Sequence, residues 1–199
     1  EIPEILKLTA ADITVWILTL TLTVVADLTF AVEVGMVLAA LTYIRKVSRT
    51  TTVARVTRSY VEDTRMHILQ GKDIPDYVAV FRVHGPFLFG STDKFGEILD
   101  GLSQLPPIVV LRLRNMTAID ATGLGAIRDL ADQIHASGRA LLLCGAREQP
   151  AQLMKQAEFE RHIGALNICP SIQDALTRAA QLHEEARVAD ANALVETRN

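Results

Sequence analysis

The sequence has few cysteines, few aromatic residues and little net charge. Its 199 residues include 2 cysteines, 3 tyrosines, 6 phenylalanines and 1 tryptophan, and the formal net charge is -3. Cys144 and Cys169 lie in apolar surroundings, which predicts buried, reduced thiols in a cytosolic setting rather than a disulfide framework. Because basic and aromatic residues are not interleaved, we expect no nucleic acid among the partners.

Motifs for catalysis and for metal or phosphate binding are also missing from the sequence. It has no glycine-rich phosphate loop and no nucleophile elbow, and its histidines are scattered without the spacing of metal ligands. Cys144 follows an apolar run, which usually leaves a thiol unreactive. We therefore expect no catalytic residues, no metal and no cofactor. The histidines are His67, His84, His135, His162 and His183.

Apolar residues are abundant, and they are concentrated near the start of the chain. Residues 13–44 include only two charged residues, Asp27 and Glu33. The uncharged arms on either side are each shorter than the roughly 20 residues that a membrane-spanning helix requires. One continuous helix would be about 48 Å long, well beyond a hydrocarbon core of about 30 Å. We therefore predict two short membrane helices joined near residues 26–29.

The same segment has a competing interpretation. Leucine and threonine alternate at residues 18–23, which is also typical of a β-strand in a soluble core. The run continues apolar on both sides without turn residues, and threonine hydroxyls in membrane helices can bond to a preceding carbonyl. We favour the membrane helices and keep the strand as the alternative.

Asp27 and Glu33 are candidate functional residues because carboxylates are costly in lipid and usually face protein, water or an interface. The alternative is that they cap or join two short helices at the membrane surface. Either role makes them intramembrane or interfacial carboxylates.

Basic residues follow the apolar segment directly. Such a cluster marks the cytoplasmic side of a membrane and can lie against anionic lipid, although a solvated linker has the same composition. We therefore divide the chain into transmembrane helices at 1–45 and a basic cytosolic linker at 46–72. Because the chain begins at Glu1 and shows no signal peptide, we expect a longer protein upstream. The basic residues are Arg45, Lys46, Arg49, Arg55 and Arg58.

Residues 73–185 predict a compact α/β domain with a mixed sheet, because strand-like and helical segments alternate. Residues 77–83 are the first strand, His84-Gly85-Pro86 is a turn, and 87–89 form a second strand that closes a hairpin. Ser91 or Thr92 then caps a helix that ends near Gly101.

The second half of this domain has a clearer pattern. Residues 108–113 form a strand that is apolar enough to be buried on both faces. Apolar residues at helical spacing then predict a helix that Gly138 ends. The remaining predicted elements are a buried strand at 140–144, a helix at 149–158, a brief strand at 168–169, a helix capped by Ser171 and a frayed tail at 186–199.

The turn between the 108–113 strand and the following helix is the main candidate site. It contains Asp120, Thr122, Gly123 and Leu124. An Asp or Thr caps the first turn of a helix, backbone amides there attract anions, and a glycine lets another group approach closely. The turn therefore predicts a site of contact or regulation.

These residues resemble those of a known family. The apolar segment is similar to the last membrane helices of the SulP sulfate permease family, and the soluble part is similar to the STAS domain that follows them. Only a short segment, Leu102 to Leu105, separates the first helix of this domain from the next strand, whereas animal members carry a long insertion there. The matching stretches are LTVVADLT at 22–29, HGPFLFG at 84–90, the strand 108–113, IDATGL at 119–124 and NICP at 167–170.

The resemblance implies a secondary active carrier or exchanger for sulfate and related anions, of bacterial type. It implies a multi-pass protein of the inner, plasma membrane, a homodimer in a lipid bilayer, and a cytosolic STAS domain for regulation and dimer assembly. The family binds its anion at half-helix ends that precede this part of the chain, so we expect no substrate-binding residue here. We also expect these 199 residues alone not to transport.

The resemblance also gives Thr122 a specific role to test. STAS domains occur as free anti-sigma-factor antagonists, in which a Ser or Thr of the matching turn is phosphorylated and the new charge breaks a protein contact. Thr122 would then be a phospho-switch that binds a cytosolic regulatory protein, with Asp120 shaping the loop. The alternative is that Asp120 and Thr122 only cap the helix. The alternative function for the chain is a membrane-tethered STAS signalling module that acts by binding proteins.

Overall fold

The computed structural model describes residues 10–25, 27–56, 74–89 and 92–196. The chain forms two compact units, 1–50 and 51–199. The first unit is helical, and the second contains the sheet. The predicted cap Ser91 and most of the predicted linker lie outside the described residues.

The first unit is a pair of helices, as the apolar segment predicted. Helix α1 spans Ala10–Val25 and helix α2 spans Leu28–Arg49, with Asp27 between them. The carbonyl of Asp27 accepts a hydrogen bond from the amide of Ala31 at 2.9 Å, which begins α2. The strand alternative for 18–23 is wrong. Within α2 the stretch Leu28–Val47 is apolar and long enough to cross a membrane, whereas the apolar stretch of α1, Ile13–Val25, is shorter.

Small and hydroxylated residues let the two helices of this unit approach closely. A Cβ at Gly35 would lie 3.0 Å from the hydroxyl oxygen of Thr19, and Ala31 is fully buried. The hydroxyls of α1 bond back to carbonyls four residues earlier, including Thr19 to Val15 at 2.8 Å, so they add no unpaired polar group to an apolar surface. Large side chains point outward and form a broad apolar surface, among them Trp16, Leu20, Val24, Phe30 and Met36.

The second unit contains a five-stranded mixed sheet in the order β1-β2-β3-β4-β5. Strand β1 is antiparallel to β2, and the other neighbours are parallel. This arrangement confirms the predicted α/β class with a mixed sheet. The strands are β1 Thr52–Arg55, β2 Val78–Phe87, β3 Ile108–Ile119, β4 Ala140–Cys144 and β5 Ile168–Cys169.

Helices cover both faces of the sheet, and each face has its own core. Four helices pack on one face around β3: α3 Gly96–Asp100, α4 Ala121–Ala136, α5 Glu148–Gln156 and α6 Glu160–Ile163. Helix α7, Ile172–Glu196, packs on the other face. The described part of this unit also contains short 3-10 turns at Thr92–Phe95, Leu102–Gln104 and Ala165–Asn167. Parallel strands buried on both faces are mostly apolar. All six residues from Ile108 to Leu113 are buried, as predicted, including the charged Arg112.

Several predicted helix ends are also confirmed. Helix α4 ends at Ala136, and Gly138 follows with a φ of 76°, a left-handed conformation that favours glycine. Ser171 precedes α7, and its hydroxyl accepts a hydrogen bond from the amide of Asp174 at 3.3 Å. The backbone of α7 remains helical as far as Glu196, beyond the point at which the tail was expected to fray.

The predicted hairpin at residues 84–86 is wrong. Strand β2 runs through His84-Gly85-Pro86 without turning and pairs with β3 from Val78 to Phe87. Two register shifts flank Gly85, whose φ of 92° accommodates the irregular backbone. The turn-forming residues therefore make a bulge in a single strand.

The predicted linker also contains regular structure. Strand β1 lies inside residues 46–72 and pairs with β2 from Thr52 to Arg55. Thr51, which is 1% exposed, donates its hydroxyl hydrogen to the carbonyl of Pro86. This part of the predicted linker therefore belongs to the sheet.

Candidate functional site

The candidate site lies where β3 ends and α4 begins, and Asp120 organises it. Asp120 has an extended backbone and is the N-cap of α4. One carboxylate oxygen, Oδ1, accepts a hydrogen bond from the amide of Gly123 at 2.7 Å, which caps the helix. The other, Oδ2, accepts from the amide of Phe89 at 2.9 Å. A single carboxylate thus joins the start of α4 to the segment that follows β2.

Gly123 lies against the backbone of the neighbouring strand. A methyl group at this position would overlap the carbonyl oxygen of Phe87 and lie 2.9 Å from the Cδ1 atom of its ring. The second glycine of the turn, Gly125, has nothing within 4 Å of an added Cβ. Only Gly123 is therefore required for the close approach that the sequence predicted.

The remaining predicted residues of the turn are divided between the core and the surface. Leu124 is buried in the core around β3. Thr122 is exposed on the first turn of α4, and the helix is capped by Asp120 instead. Phe89, whose backbone amide bonds to Asp120, is 71% exposed. The turn therefore presents a hydroxyl and an aromatic ring to solvent.

The electrostatics of the turn argue against a bound anion at the start of α4. A helix N-terminus attracts negative charge through its unpaired amides. Here the carboxylate of Asp120 already bonds to the amide of Gly123, so the position that an anion would take is filled by the protein itself.

Sequence reasoning missed one residue of the site, Gln149. Its Oε1 accepts a hydrogen bond from the amide of Ile119 at 2.9 Å, and its Nε2 donates to the carbonyl of Ile119 at 2.6 Å. Ile119 is the last residue of β3. No local sequence signal marks this contact, because the two residues are 30 positions apart.

Asp27 and Glu33, the other predicted site residues, belong to the helical unit. Asp27 is exposed in the break between α1 and α2, and Glu33 is exposed on the second turn of α2. The position of Asp27 corresponds to the joining role that was the alternative in the sequence analysis.

Both cysteines are free thiols and both are buried. They occupy opposite positions on the neighbouring strands β4 and β5, where Cys144 is the register partner of Cys169. Burial raises the pKa of the Cys144 thiol to about 12, although Arg112 partly opposes the shift. Burial also raises the pKa of Cys169. A protonated, buried thiol is a poor nucleophile. Within the described ranges, no group of three or more His, Cys, Asp or Glu residues could hold a metal ion.

Comparison with known proteins places these features in a family. The sequence pattern of the STAS domain matches residues 71–175. The chain is similar to YvdB of Bacillus subtilis, whose description as a sulfate transporter is provisional, with 26% identity over 165 residues, which cover 82% of this chain and 30% of that protein. The chain thus spans less than a third of this relative.

Two solved structures are also similar. A sulfate transporter family protein from Wolinella succinogenes is 29% identical and aligns with a TM-score of 0.54 over 59% of this chain and 96% of its own. The murine anion transporter Slc26a9 is 16% identical and aligns with a TM-score of 0.64 over 87% of this chain and 29% of its own, which reports on fold alone. With the family pattern covering more than half of its residues, the chain belongs to the STAS domain family.

Proposed function

We propose that this chain is the C-terminal part of a secondary active transporter for sulfate or a related anion, with the STAS domain on the cytosolic side. The order of the two units along the chain is the main support for this proposal. A pair of apolar helices, one of them long enough to cross a bilayer, is followed directly by a STAS domain. The similarity to YvdB extends over 82% of the chain and supports the same assignment.

In this proposal, the residues that bind the transported anion precede this chain in a longer protein. YvdB is more than three times as long as the matched part. In transporters built from repeated helices, anions bind at half-helix ends near the bilayer midplane. We assign those helices to the sequence upstream of Glu1, where we expect about a dozen further hydrophobic segments.

Uptake of radioactive sulfate into proteoliposomes tests the proposal. The full-length protein should take up sulfate or a related oxyanion, and liposomes that contain only residues 1–199 should not. Absence of uptake of any oxyanion by the full-length protein would contradict the transport assignment. Uptake by the 199-residue chain would contradict the assignment of the anion site to the upstream helices.

Membrane orientation is the second part of the proposal. Arg45 and Lys46 lie at the end of α2, where basic residues favour the cytoplasmic side. In inverted inner-membrane vesicles, protease should digest the STAS domain, whereas in intact spheroplasts it should not. The opposite pattern would place the domain outside the cell.

We further propose that the exposed surface at Thr122 and Phe89 regulates the carrier by contact with a second copy or another cytosolic protein. Both side chains are exposed, and Asp120 fixes the segment that carries Phe89. Thr122→Glu adds a negative charge at this surface. Thr177→Glu, at an exposed site on α7, is the matched control. Transport and dimer formation should change with the first substitution only; equal behaviour of the two would remove the regulatory role.

The exposure of Thr122 also supports the second candidate function, a membrane-tethered STAS signalling module that binds proteins. The two functions differ in what precedes the chain. A coding sequence with many hydrophobic segments upstream of Glu1 supports the transporter, and a start codon immediately upstream supports the module.

A further inference from the structure

A cavity of about 270 Å³ lies at the carboxyl ends of strands β4 and β5. After β4 the chain enters α5, which packs on the core around β3, whereas after β5 it enters α7 on the other face of the sheet. Neighbouring parallel strands whose connections leave toward opposite faces open a crevice at their carboxyl ends, and open α/β sheets bind ligands there. The fold therefore places this cavity where a ligand site is expected.

Apolar side chains and thiols form the floor of the cavity. Leu143 and Met154 belong to the core around β3, and Cys144 and Cys169 belong to the core beneath α7. Each of the four is at most 7% exposed. This floor suits an apolar group. Because sites for drug-sized ligands are about 300–1,000 Å³, the cavity fits a smaller molecule.

Two side chains of opposite charge also line the cavity, Lys155 on α5 and Glu160 on α6. Both residues are exposed, so a ligand in solvent can reach the cavity from the side on which they lie. In the part of the chain that the structure describes, neither side chain forms a hydrogen bond or an ion pair. The cavity thus combines an apolar floor with one unpaired cation and one unpaired anion.

The segment that forms one wall of the cavity has an unusual backbone. Glu148 and Glu158, at the two ends of α5, have φ values of 47° and 49°, in the left-handed region that residues other than glycine seldom adopt. Gly145 and Gly164, on either side of them, are left-handed as well. Strained conformations of this kind cluster at ligand-binding sites. Their concentration between β4 and β5 supports a functional role for this segment.

We propose that this cavity binds a free α-amino acid with an aliphatic side chain, such as leucine. Lys155 pairs with the carboxylate of the ligand and Glu160 pairs with its ammonium group, through charge-assisted hydrogen bonds. The aliphatic side chain lies on the apolar floor, where it is removed from water. A ligand with a single charge would leave one of the two protein charges without a partner. None of the lining residues belongs to the β3–α4 turn, and the proposal does not depend on the transport assignment.

Isothermal titration calorimetry on residues 1–199 in maltoside micelles tests the site, with injections into empty micelles as the blank. Three ligands with the same branched side chain are compared. L-leucine has both charges, 4-methylpentanoate lacks the ammonium group, and 3-methylbutylamine lacks the carboxylate. Leucine should bind saturably, and each of the other two should bind about five-fold more weakly, the effect of losing one partly exposed ion pair.

Two substitutions at exposed positions assign each charge of the ligand to its partner. Lys155→Gln should weaken the binding of leucine about five-fold and leave that of 3-methylbutylamine unchanged, because this ligand has no carboxylate. Glu160→Gln should weaken leucine equally and leave 4-methylpentanoate unchanged. The matched controls are Arg187→Gln and Asp129→Asn, which remove the same charges from exposed residues outside the cavity. Both controls should bind leucine as the intact chain does.

Alkylation of Cys169 locates the ligand, because this thiol lies in the floor of the cavity. In Cys144→Ser, saturating leucine should slow the reaction of Cys169 with iodoacetamide. The proposal is overturned if leucine does not bind saturably, if the three ligands bind equally, or if either cavity variant binds leucine as its control does. Saturable binding of leucine without protection of Cys169 would place the amino acid elsewhere and would also overturn it.

Discussion

The side-chain amide of Gln149 pairs with both backbone groups of Ile119, as a neighbouring strand would. Strand β4 ends at Cys144, so β3 extends beyond its partner on that side. Gln149 therefore completes the hydrogen bonding of the last residue of β3, directly before the capping residue Asp120. This contact connects the start of α5 to the β3–α4 turn.

Removing this amide should loosen the end of β3. Gln149→Ala leaves the amide and carbonyl of Ile119 without these partners, and the expected loss of stability is about 1–3 kcal/mol. Hydrogen exchange measured by mass spectrometry should become faster in peptides that contain Ile119. The matched control, Gln152→Ala, changes an exposed residue of the same helix and should have no such effect. Equal exchange in the two variants would mean that the contact does not hold the strand end.

The two glycines of the turn should respond oppositely to alanine. Gly123→Ala should destabilise the unit by about 1–3 kcal/mol, because the methyl group would overlap the carbonyl of Phe87. Gly125→Ala meets no neighbour and should stabilise α4 by up to about 1 kcal/mol, since alanine favours helix. Urea unfolding followed by hydrogen exchange of α4 gives both values. Equal stability of the two variants would contradict the close approach at Gly123.

Asp120 should affect two segments at once. Asp120→Ala removes the cap of α4, worth about 1 kcal/mol, and also the bond to the amide of Phe89. Hydrogen exchange should therefore increase both at the start of α4 and at Phe89. Asp129→Ala, an exposed change on the same helix, is the control. If exchange at Phe89 stays unchanged in Asp120→Ala, the carboxylate does not link the two segments.

The raised pKa of Cys144 predicts a specific pH dependence. Because the folded pKa of about 12 exceeds the ordinary value of 9.0, the folded state favours the protonated thiol. This contribution to stability is complete below about pH 9 and is lost as the pH rises from there toward 12. In Cys169→Ser, iodoacetamide at pH 8 should label Cys144 slowly in the native chain and rapidly in urea. Equal native and urea rates would contradict its burial.

The alkylation rate of the second buried cysteine, Cys169, provides the comparison for Cys144. Cys169 is 7% exposed, whereas Cys144 is 1% exposed. In Cys144→Ser, native Cys169 should therefore react faster with iodoacetamide than native Cys144 does in Cys169→Ser. The reverse order would mean that exposure does not control access to these thiols.

Elements with a strong internal pattern were predictable from the sequence. The helical spacing from Leu124 to Ile134 predicted α4, and apolar runs predicted the first half of β3 and all of β4. The break at Asp27 followed from a length argument about membrane helices. At the candidate site, the roles of Asp120 and Gly123 followed from the ordinary chemistry of helix starts.

The errors arose where long-range pairing decides the structure. His84-Gly85-Pro86 has the composition of a turn, but pairing with β3 keeps the backbone extended and converts the segment into a bulge. Strand β1 has only four residues, too few for a recognisable alternation. The contact of Gln149 with Ile119 joins residues 30 positions apart, which the local sequence does not reveal.

The order of strands in the sheet follows the order of strands in the chain. Each strand that leaves the ribosome therefore finds its partner already synthesised, and the growing sheet has one unfinished edge at a time. Helix α7 follows the last of these strands, and its apolar side chains close the second core of the sheet. The unit can thus assemble from its N-terminal to its C-terminal end, directly after the two apolar helices have been synthesised.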